Sequence, residues 1–232
     1  PSLLVRNNRF ELPESAELRK RLLPRRNTIE RCLPSVGRIE LKNHTSLSYA
    51  GTGWMIAERT VVTNRHVATL FAEGSGTKVV TLRNFLGREI TSNLDFREEY
   101  EIAAALEIDV EKVLFLEKQG DKFPDVAILR LANSPSLPPP LPIASGAVEV
   151  SSDIAVIGYP ARDPEGGGFD LKLLNEIFGD IYGVKRLAPG LVIGSNKQNW
   201  YFTHDATTLR GNSGSLVLDT ASGAAIGLHF QG

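Results

Sequence analysis

The fold of this chain is decided by the stretch Leu209-Arg210-Gly211-Asn212-Ser213-Gly214-Ser215, in which a serine stands between glycines just ahead of a short apolar run. By itself, a serine in this setting also fits a flexible turn. Two other stretches favour a different interpretation. Residues 61–67 read Val-Val-Thr-Asn-Arg-His-Val, and residues 124–131 read Pro-Asp-Val-Ala-Ile-Leu-Arg-Leu. A histidine, an aspartate and a serine therefore occur in that order, each beside an apolar segment.

These three residues, His66, Asp125 and Ser213, have the chemistry of a catalytic triad. A serine hydroxyl is a poor nucleophile at neutral pH and needs an adjacent base to take its proton. His66 is the candidate base, because imidazole titrates near neutral pH, and Asp125 would fix the tautomer of its ring. The backbone N–H groups of Gly211 and Ser213 are the candidate oxyanion hole, since glycine adopts the backbone angles that such a turn needs.

The sequence resembles the trypsin/chymotrypsin-like serine proteases, in particular the bacterial, disulfide-free branch that includes the glutamyl endopeptidases. The matching segments are Gly51–Trp54, Thr63–Val67, Asp125–Ala127, Gly211–Ser215 and Ile226–Phe230. The resemblance begins at about residue 36 and continues to the end. It implies an all-β fold of two antiparallel six-stranded β-barrels with the active site in the cleft between them. It also implies a serine endopeptidase that hydrolyses peptide bonds through an acyl-enzyme.

The composition narrows the range of partners. The chain has 232 residues, 42% hydrophobic and 23% charged, with a formal net charge of -1, as in ordinary globular proteins. This balance gives no basis for nucleic-acid or membrane binding, so the expected partner is a protein or peptide substrate. Four histidines and one cysteine without ligand spacing predict no metal site, and no cofactor is expected. The single cysteine, Cys32, excludes an internal disulfide and favours the cytoplasm, with a secreted mature enzyme as the alternative.

The sequence divides into four parts. Residues 1–35 are charged and proline-punctuated, and we expect them to form an extension with a short helix over Glu14–Leu23. Its basic cluster is interpreted as a solvated face rather than a processing or docking segment. The first barrel is expected over residues 36–132 and the second over 143–232. The proline-rich stretch 133–142 between them fits an extended linker. Relatives continue beyond residue 232, so the second barrel is expected to lack its last strand and C-terminal helix.

Short apolar segments separated by turn residues predict the strands. In the first half we expect strands over residues 36–41, 53–57, 60–63, 78–82, 89–94, 111–117 and 126–131. In the second half we expect them over residues 153–159, 181–187, 191–194, 199–204, 215–218 and 224–230. Residues 66–71 are expected to form one helical turn, and 175–180 a short helical insert. The segment Tyr100–Ile108 is rich in Glu, Ala and Leu, and its propensity favours a helix.

The specificity pocket is predicted from positions near the serine. Trypsins carry an aspartate six residues before the nucleophile, where this chain has Thr207. Thr208 and His229 match the positions with which glutamyl endopeptidases hold a substrate carboxylate, and Arg210 adds positive charge nearby. A hydroxyl and an imidazole can both donate hydrogen bonds to a carboxylate. The resemblance therefore implies cleavage after Glu, or after Asp. His44 and His204 are interpreted as structural.

Two alternatives remain open at this stage. One is a protease of the same fold with specificity for small apolar residues, as in the high-temperature-requirement proteases. The other is a latent protease module of a larger bacterial effector protein, switched on by a regulatory partner or a fused domain. The asparagine before the nucleophile, Asn212, excludes the ion pair with a new N-terminus by which trypsins are activated.

Overall fold

The computed structural model describes residues 1–120, 122–162, 171–196 and 200–231. The strands of this part of the chain are β1 (Leu3–Arg6), β2 (Arg9–Phe10), β3 (Val36–Lys42), β4 (Tyr49–Ala57), β5 (Thr60–Thr63), β6 (Ala72–Ser75), β7 (Lys78–Thr81), β8 (Thr91–Asp95), β9 (Glu107–Leu116), β10 (Ala127–Leu131), β11 (Asp153–Gly158), β12 (Arg186–Ser195), β13 (Phe202–His204), β14 (Leu216–Asp219) and β15 (Ala225–Leu228). The α-helices are α1 (Ala16–Leu22), α2 (Arg26–Glu30), α3 (Arg65–Ala68) and α4 (Leu171–Phe178).

The first half of the chain forms a closed antiparallel barrel in the order β10-β5-β4-β3-β8-β9. Strand β10 shows why the sequence folds this way, because its alternate residues Ala127, Leu129 and Leu131 are fully buried while the residues between them are partly exposed. The predicted turn between β4 and β5 is present, with Arg59 in the left-handed region at φ 55°. The hairpin of β6 and β7 lies outside the barrel.

The second half is built on a seven-stranded antiparallel sheet in the order β15-β14-β11-β12-β1-β2, with β13 paired to β12. Strand β11 is apolar at every position from Ile154 to Ile157 because both of its faces are covered. Ile154 and Val156 pack in one apolar cluster, whereas Ala155 and Ile157 pack in another, larger one. The all-β fold is therefore as expected. In the described residues, however, the second half is an open sheet and not a closed six-stranded barrel.

The N-terminal segment is part of this second sheet. Strand β1 pairs with β12, with Leu3 opposite Leu187, and its apolar side chains enter the larger cluster. The predicted helix is present as α1, with Ser15 as its N-cap, and it buries Leu22. The basic residues of this segment are also partly engaged, since Arg21 forms an ion pair with Asp153 of β11. Sequence alone presents residues 1–35 as an appended extension, whereas their apolar side chains complete a shared core.

A buried ion pair fixes the place where the two halves and the N-terminal segment meet. Lys185 and Glu99 are fully buried, and their charged atoms lie 3.2 Å apart. Lys185 Nζ also donates to the carbonyls of Leu33 and Phe96, and Glu99 accepts from the backbone N–H of Asn8. Burial lowers the pKa of Lys185 to about 8, against the opposing effect of Glu99.

The helix expected over Tyr100–Ile108 is absent, and this prediction was wrong. The segment is extended, because Leu106 N–H donates to the Asp95 carboxylate at 3.0 Å and β9 begins at Glu107 in pairing with β8. Tertiary pairing overrides helix propensity here. The two strands expected over residues 181–187 and 191–194 are instead one continuous strand, β12, which runs through Pro189.

The linker 133–142 contains no strand among its described residues, as its prolines predict. It is tied to the first barrel, since Leu141 N–H donates to the Met55 carbonyl and Ser35 Oγ donates to the Pro139 carbonyl. None of the helices in the described ranges is long and apolar enough to cross a membrane.

Replacing Glu99 by Gln should destabilise the fold strongly, because it leaves the buried ammonium of Lys185 without its counter-charge. We expect Glu99→Gln to lower the free energy of unfolding by about 3–5 kcal/mol. Glu101→Gln is the matched control, since Glu101 pairs with Arg6 at a half-exposed position and should cost less than about 1 kcal/mol. Urea unfolding at pH 7 measures both. Equal losses in the two variants would contradict the role given to the buried pair.

Candidate active site

His66 and Asp125 are brought together by the pairing of two neighbouring strands. Thr63 at the end of β5 lies opposite Ala127 at the start of β10. His66 follows β5 on the short helix α3, and Asp125 lies two residues before the first residue of β10, so strand register places the two side chains at the same edge of the barrel. The Asn64 side-chain amide donates to the Asp125 carbonyl at 2.9 Å and holds this edge together.

The Asp125 carboxylate binds His66 with both oxygens. Its Oδ2 lies 2.5 Å from His66 Nδ1, and its Oδ1 accepts the backbone N–H of His66 at 3.0 Å. Partial burial raises the pKa of Asp125, but the hydrogen bonds from His66 outweigh burial, and the net pKa is below its ordinary value. Asp125 is therefore an anion at neutral pH and fixes the ring of His66 with Nε2 free.

The loop that carries Ser213 is anchored to the first barrel through Thr52 of β4. The Thr52 N–H donates to the Ser213 carbonyl at 2.9 Å, and the Thr52 hydroxyl donates to the Gly211 carbonyl at 3.4 Å. The close approach requires Gly214, whose φ is +83° and at which a Cβ atom would lie 2.0 Å from the Thr52 carbonyl oxygen. In the described part of the chain, Ser213 Oγ makes no hydrogen bond to His66. Catalytic bonds of this kind often tighten only in the substrate complex.

The same loop leaves two backbone donors free. The N–H groups of Asn212, Gly214 and Ser215 are used in hydrogen bonds to Leu209, His229 and Asn212 carbonyls respectively. Those of Gly211 and Ser213, the predicted oxyanion hole, have no acceptor among the described residues. Gly211 has φ +89°, and a Cβ atom there would lie 2.5 Å from the Tyr159 carbonyl oxygen. This turn therefore accepts only glycine without strain.

A cleft of about 1820 Å³ lies between the two halves, and its lining includes His66, Asp125, Thr208 and His229. Exposed apolar side chains on its walls include Ile143 and Ile193. The Trp200 and Phe230 rings pack against each other in the same lining, with centroids 5.2 Å apart. Ser213 and Gly211 do not line this cleft directly. Ser213 lies beside it, since the next residue in the chain, Gly214, is hydrogen-bonded to His229.

The structure separates the three predicted substrate-binding residues. Thr208 and His229 both line the cleft, and the backbone of His229 is hydrogen-bonded to Gly214 and Ser215, which follow Ser213 in the chain. Arg210 is exposed, does not line the cleft, and uses its carbonyl to accept the N–H of Ala161. Its side chain is therefore not brought to the site.

His204 is a cleft residue that sequence reasoning interpreted as structural. Its Nε2 atom lies 3.1 Å from Nδ1 of His229. Burial lowers the pKa of both rings, and that of His229 falls to about 4, helped by the nearby rings of His204 and His66. The contact joins β13 to the end of β15, two strands that pair with different neighbours in the sheet, so it has no signature in the local sequence. His44, by contrast, accepts hydrogen bonds from the N–H groups of Ser46 and Leu47 in its own turn.

One group of carboxylates could hold a cation within the described residues. The oxygens of Glu40, Asp95 and Glu98 lie within 4.8 Å of one another, with Asp95 buried and the other two residues partly exposed. The guanidinium of Arg38 already reaches Glu40 at 2.7 Å and Glu98 at 3.4 Å. Its positive charge stabilises this group, so the geometry gives no reason for a metal.

Comparison with known proteins shows the family of the chain. Residues 51–228 match the family model described as trypsin-like peptidase domain. A probable serine protease of Lysobacter enzymogenes is 32% identical over 226 residues, which cover 88% of this chain and 58% of that protein. The chain therefore spans somewhat more than half the length of this curated relative.

Solved structures show the same fold at low sequence identity. The active form of the Rv3671c protease of M. tuberculosis has a TM-score of 0.52 at 22% identity, covering 90% of this chain and 75% of that one. The HtrA-type protease AlgW with a decapeptide has a TM-score of 0.55 at 17% identity, covering 89% and 58%. The serine endoprotease from Yersinia pestis has a TM-score of 0.55 at 16% identity, covering 95% and 58%.

Gly214 should be the least replaceable glycine of the serine loop. Gly214→Ala combines an unfavourable backbone angle with overlap against the Thr52 carbonyl, and we expect a loss of about 2–5 kcal/mol in unfolding free energy. Gly76→Ala is the matched control, because Gly76 has φ +62° but open space around it, and it should cost about 1–2 kcal/mol. Thermal and urea unfolding measure the difference. Losses of the same size would show that the contact with Thr52 contributes nothing.

Proposed function

The chain belongs to the trypsin-like peptidase family, and we propose that it is a serine endopeptidase that cleaves proteins or peptides through an acyl-enzyme, after Glu or Asp. The observation that carries the triad is the 2.5 Å contact between His66 Nδ1 and the Asp125 carboxylate, which leaves Nε2 of His66 as the free base. The anchored loop beside His229 supplies the nucleophile Ser213.

The proposed reaction uses each residue in turn. Ser213 Oγ attacks the peptide carbonyl carbon while His66 Nε2 accepts the hydroxyl proton. The Asp125 carboxylate stabilises the imidazolium that forms, and its depressed pKa keeps it ionised throughout. The free N–H groups of Gly211 and Ser213 donate to the oxygen that becomes negative in the tetrahedral intermediate.

The cycle closes with the same groups. His66 returns its proton to the leaving amine, and the amine departs as the ester of Ser213 forms. A water molecule then attacks this ester while His66 accepts its proton, and His66 passes that proton to Ser213 Oγ as the acid product is released.

The acidic preference is supported by the chemistry of the cleft wall next to the serine loop. Thr208 supplies a hydroxyl and His229 an imidazole, and both can donate to a carboxylate. Thr207, which occupies the position of the trypsin aspartate, offers no anion to a basic side chain. Arg210 is left out of this proposal because its side chain is exposed to solvent.

The triad is tested by one nucleophile variant and one orienting variant. We expect Ser213→Ala to reduce kcat by about 10⁶-fold and Asp125→Asn by about 10⁴-fold. Asp109→Asn is the matched control, because Asp109 is a mostly exposed carboxylate paired only with Lys42, and its activity should equal that of the wild type. A fluorophosphonate probe should label Ser213 in the wild type and nothing in Ser213→Ala. Absence of labelling in folded wild-type protein would favour the latent module that needs a partner.

The pocket is tested with two peptides that differ only in Glu or Gln before the scissile bond. We expect the wild type to prefer the Glu peptide about 10- to 100-fold in kcat/KM, since charge-assisted hydrogen bonds replace neutral ones. Thr208→Val should lose part of this preference, while Thr208→Ser, which keeps the hydroxyl, should retain it. Serine-dependent cleavage after small apolar residues, with no preference for Glu, would contradict the acidic pocket and leave the triad intact.

A further inference from the structure

Two histidines from different strands share one hydrogen bond in the wall of the cleft. His204 lies on β13 and His229 immediately after β15, 25 residues apart in sequence. Their ring nitrogens are 3.1 Å apart, and the ring centroids are 5.2 Å apart with the planes tilted by 49°. Since both rings contact each other and both line the cleft, a ligand that reaches one ring is coupled to the proton on the other.

The two neutral rings have only two N–H groups between them. One of these occupies the shared hydrogen bond. The second N–H sits either on His229 Nε2 or on the outer nitrogen of His204. In the described structure, that outer nitrogen, His204 Nδ1, is buried and has no partner. A buried polar atom without a partner is costly, so this nitrogen is the unsatisfied end of the shared hydrogen bond.

The charges around the pair allow it to gain a proton when an anion arrives. Asp205, next to His204, raises the pKa of His204, while burial lowers it. His66 lowers the pKa of His229 and is itself bound to Asp125. Arg65 and Lys118 are the remaining charged side chains of the described cleft lining. Without a ligand, burial keeps the pair neutral near pH 7, because the pKa of His229 is about 4.

A substrate carboxylate changes this balance. Placed against a neutral pair in a partly buried wall, it would be an uncompensated negative charge. If the pair takes one proton from solvent, its charge becomes +1 and it carries three N–H groups. One remains in the shared hydrogen bond, one is on His229 Nε2 and faces the carboxylate, and one is on His204 Nδ1. The bound state is then neutral overall, and the hydrogen bond to the carboxylate is charge-assisted.

We propose that His204 is the positioning residue of the specificity pocket. His204 holds the ring of His229, and the two rings share the proton that is taken up when an acidic substrate side chain binds. This inference rests on the proposed preference for acidic substrates. It assigns His204 no contact with the substrate. It makes recognition of Glu dependent on pH in a way that recognition of its neutral isostere Gln is not.

The test is the ratio of kcat/KM for the paired Glu and Gln peptides between pH 6 and 8.5. Catalysis by His66 affects both peptides equally and cancels in the ratio, and the substrate Glu stays ionised over this range. If the protonated pair binds Glu, the ratio in the wild type should fall towards tenfold per pH unit as pH rises. A ratio that exceeds one but does not change with pH would overturn the role of His204 and leave the acidic pocket standing.

His204→Gln separates proton sharing from simple support. The amide nitrogen of Gln can still donate to His229 Nδ1, but it cannot accept the proton. We expect the Glu-to-Gln ratio at pH 6 to fall about tenfold and its pH dependence to disappear. His44→Gln is the matched control and should behave as the wild type. Retention of the wild-type pH dependence by His204→Gln would overturn the proposal.

A binding measurement covers the case in which His204→Gln fails to fold. Calorimetric titration of folded Ser213→Ala protein with each peptide, in buffers of different ionisation enthalpy, counts the protons taken up. We expect about one more proton for the Glu peptide than for the Gln peptide at pH 7.5. If both peptides take up the same number of protons but the Glu peptide binds more tightly, proton sharing is overturned and the acidic pocket is retained. Equal affinity for the two peptides would overturn the acidic pocket, and this inference with it.

Discussion

The buried contact between Thr52 and the serine loop fixes the position of that loop relative to the strand that leads to His66. The Thr52 hydroxyl lies within hydrogen-bonding distance of the Gly211 carbonyl, the Tyr159 N–H and the Ser215 hydroxyl, and the Thr52 carbonyl accepts from Thr63. Thr63 ends the strand that leads to His66. One fully buried residue therefore connects the element that supplies the base to the loop that supplies the nucleophile. A small displacement of Thr52 would therefore shift both His66 and Ser213.

Sequence could predict the parts of the site that depend on local patterns. The turn after Thr63 and the apolar run after Asp125 indicate two strand ends, and the resemblance indicates that they are neighbours. Sequence could not predict the contact of His204 with His229, because the two residues belong to β13 and to the end of β15, which pair with different strands and come together only in the fold. It also gave Tyr100–Ile108 the wrong structure, since propensity describes the segment alone and pairing with β8 decides its conformation.

The N-terminal segment shows the same limit on a larger scale. Its charges and prolines are typical of an exposed linker, and they conceal the apolar residues Leu3, Val5 and Phe10, all buried in the fold. No periodicity in a four-residue strand shows that its partner lies more than 180 residues away. Lys185 and Glu99 are likewise ordinary surface residue types in a sequence, and only the fold reveals them as a buried pair.

The pairing of Leu3 with Leu187 also affects the order in which the sheet can assemble during synthesis. Strand β1 has no partner until β12 is synthesised, because Leu187 lies 184 residues after Leu3. At typical elongation rates this delay is roughly 10 to 40 s. During that time β1 has no sheet to join, although all six strands of the first barrel have already been synthesised. The second sheet therefore cannot take in β1 until β12 has been made, and a chaperone that shields short apolar strands would act on residues 3–10 during this interval.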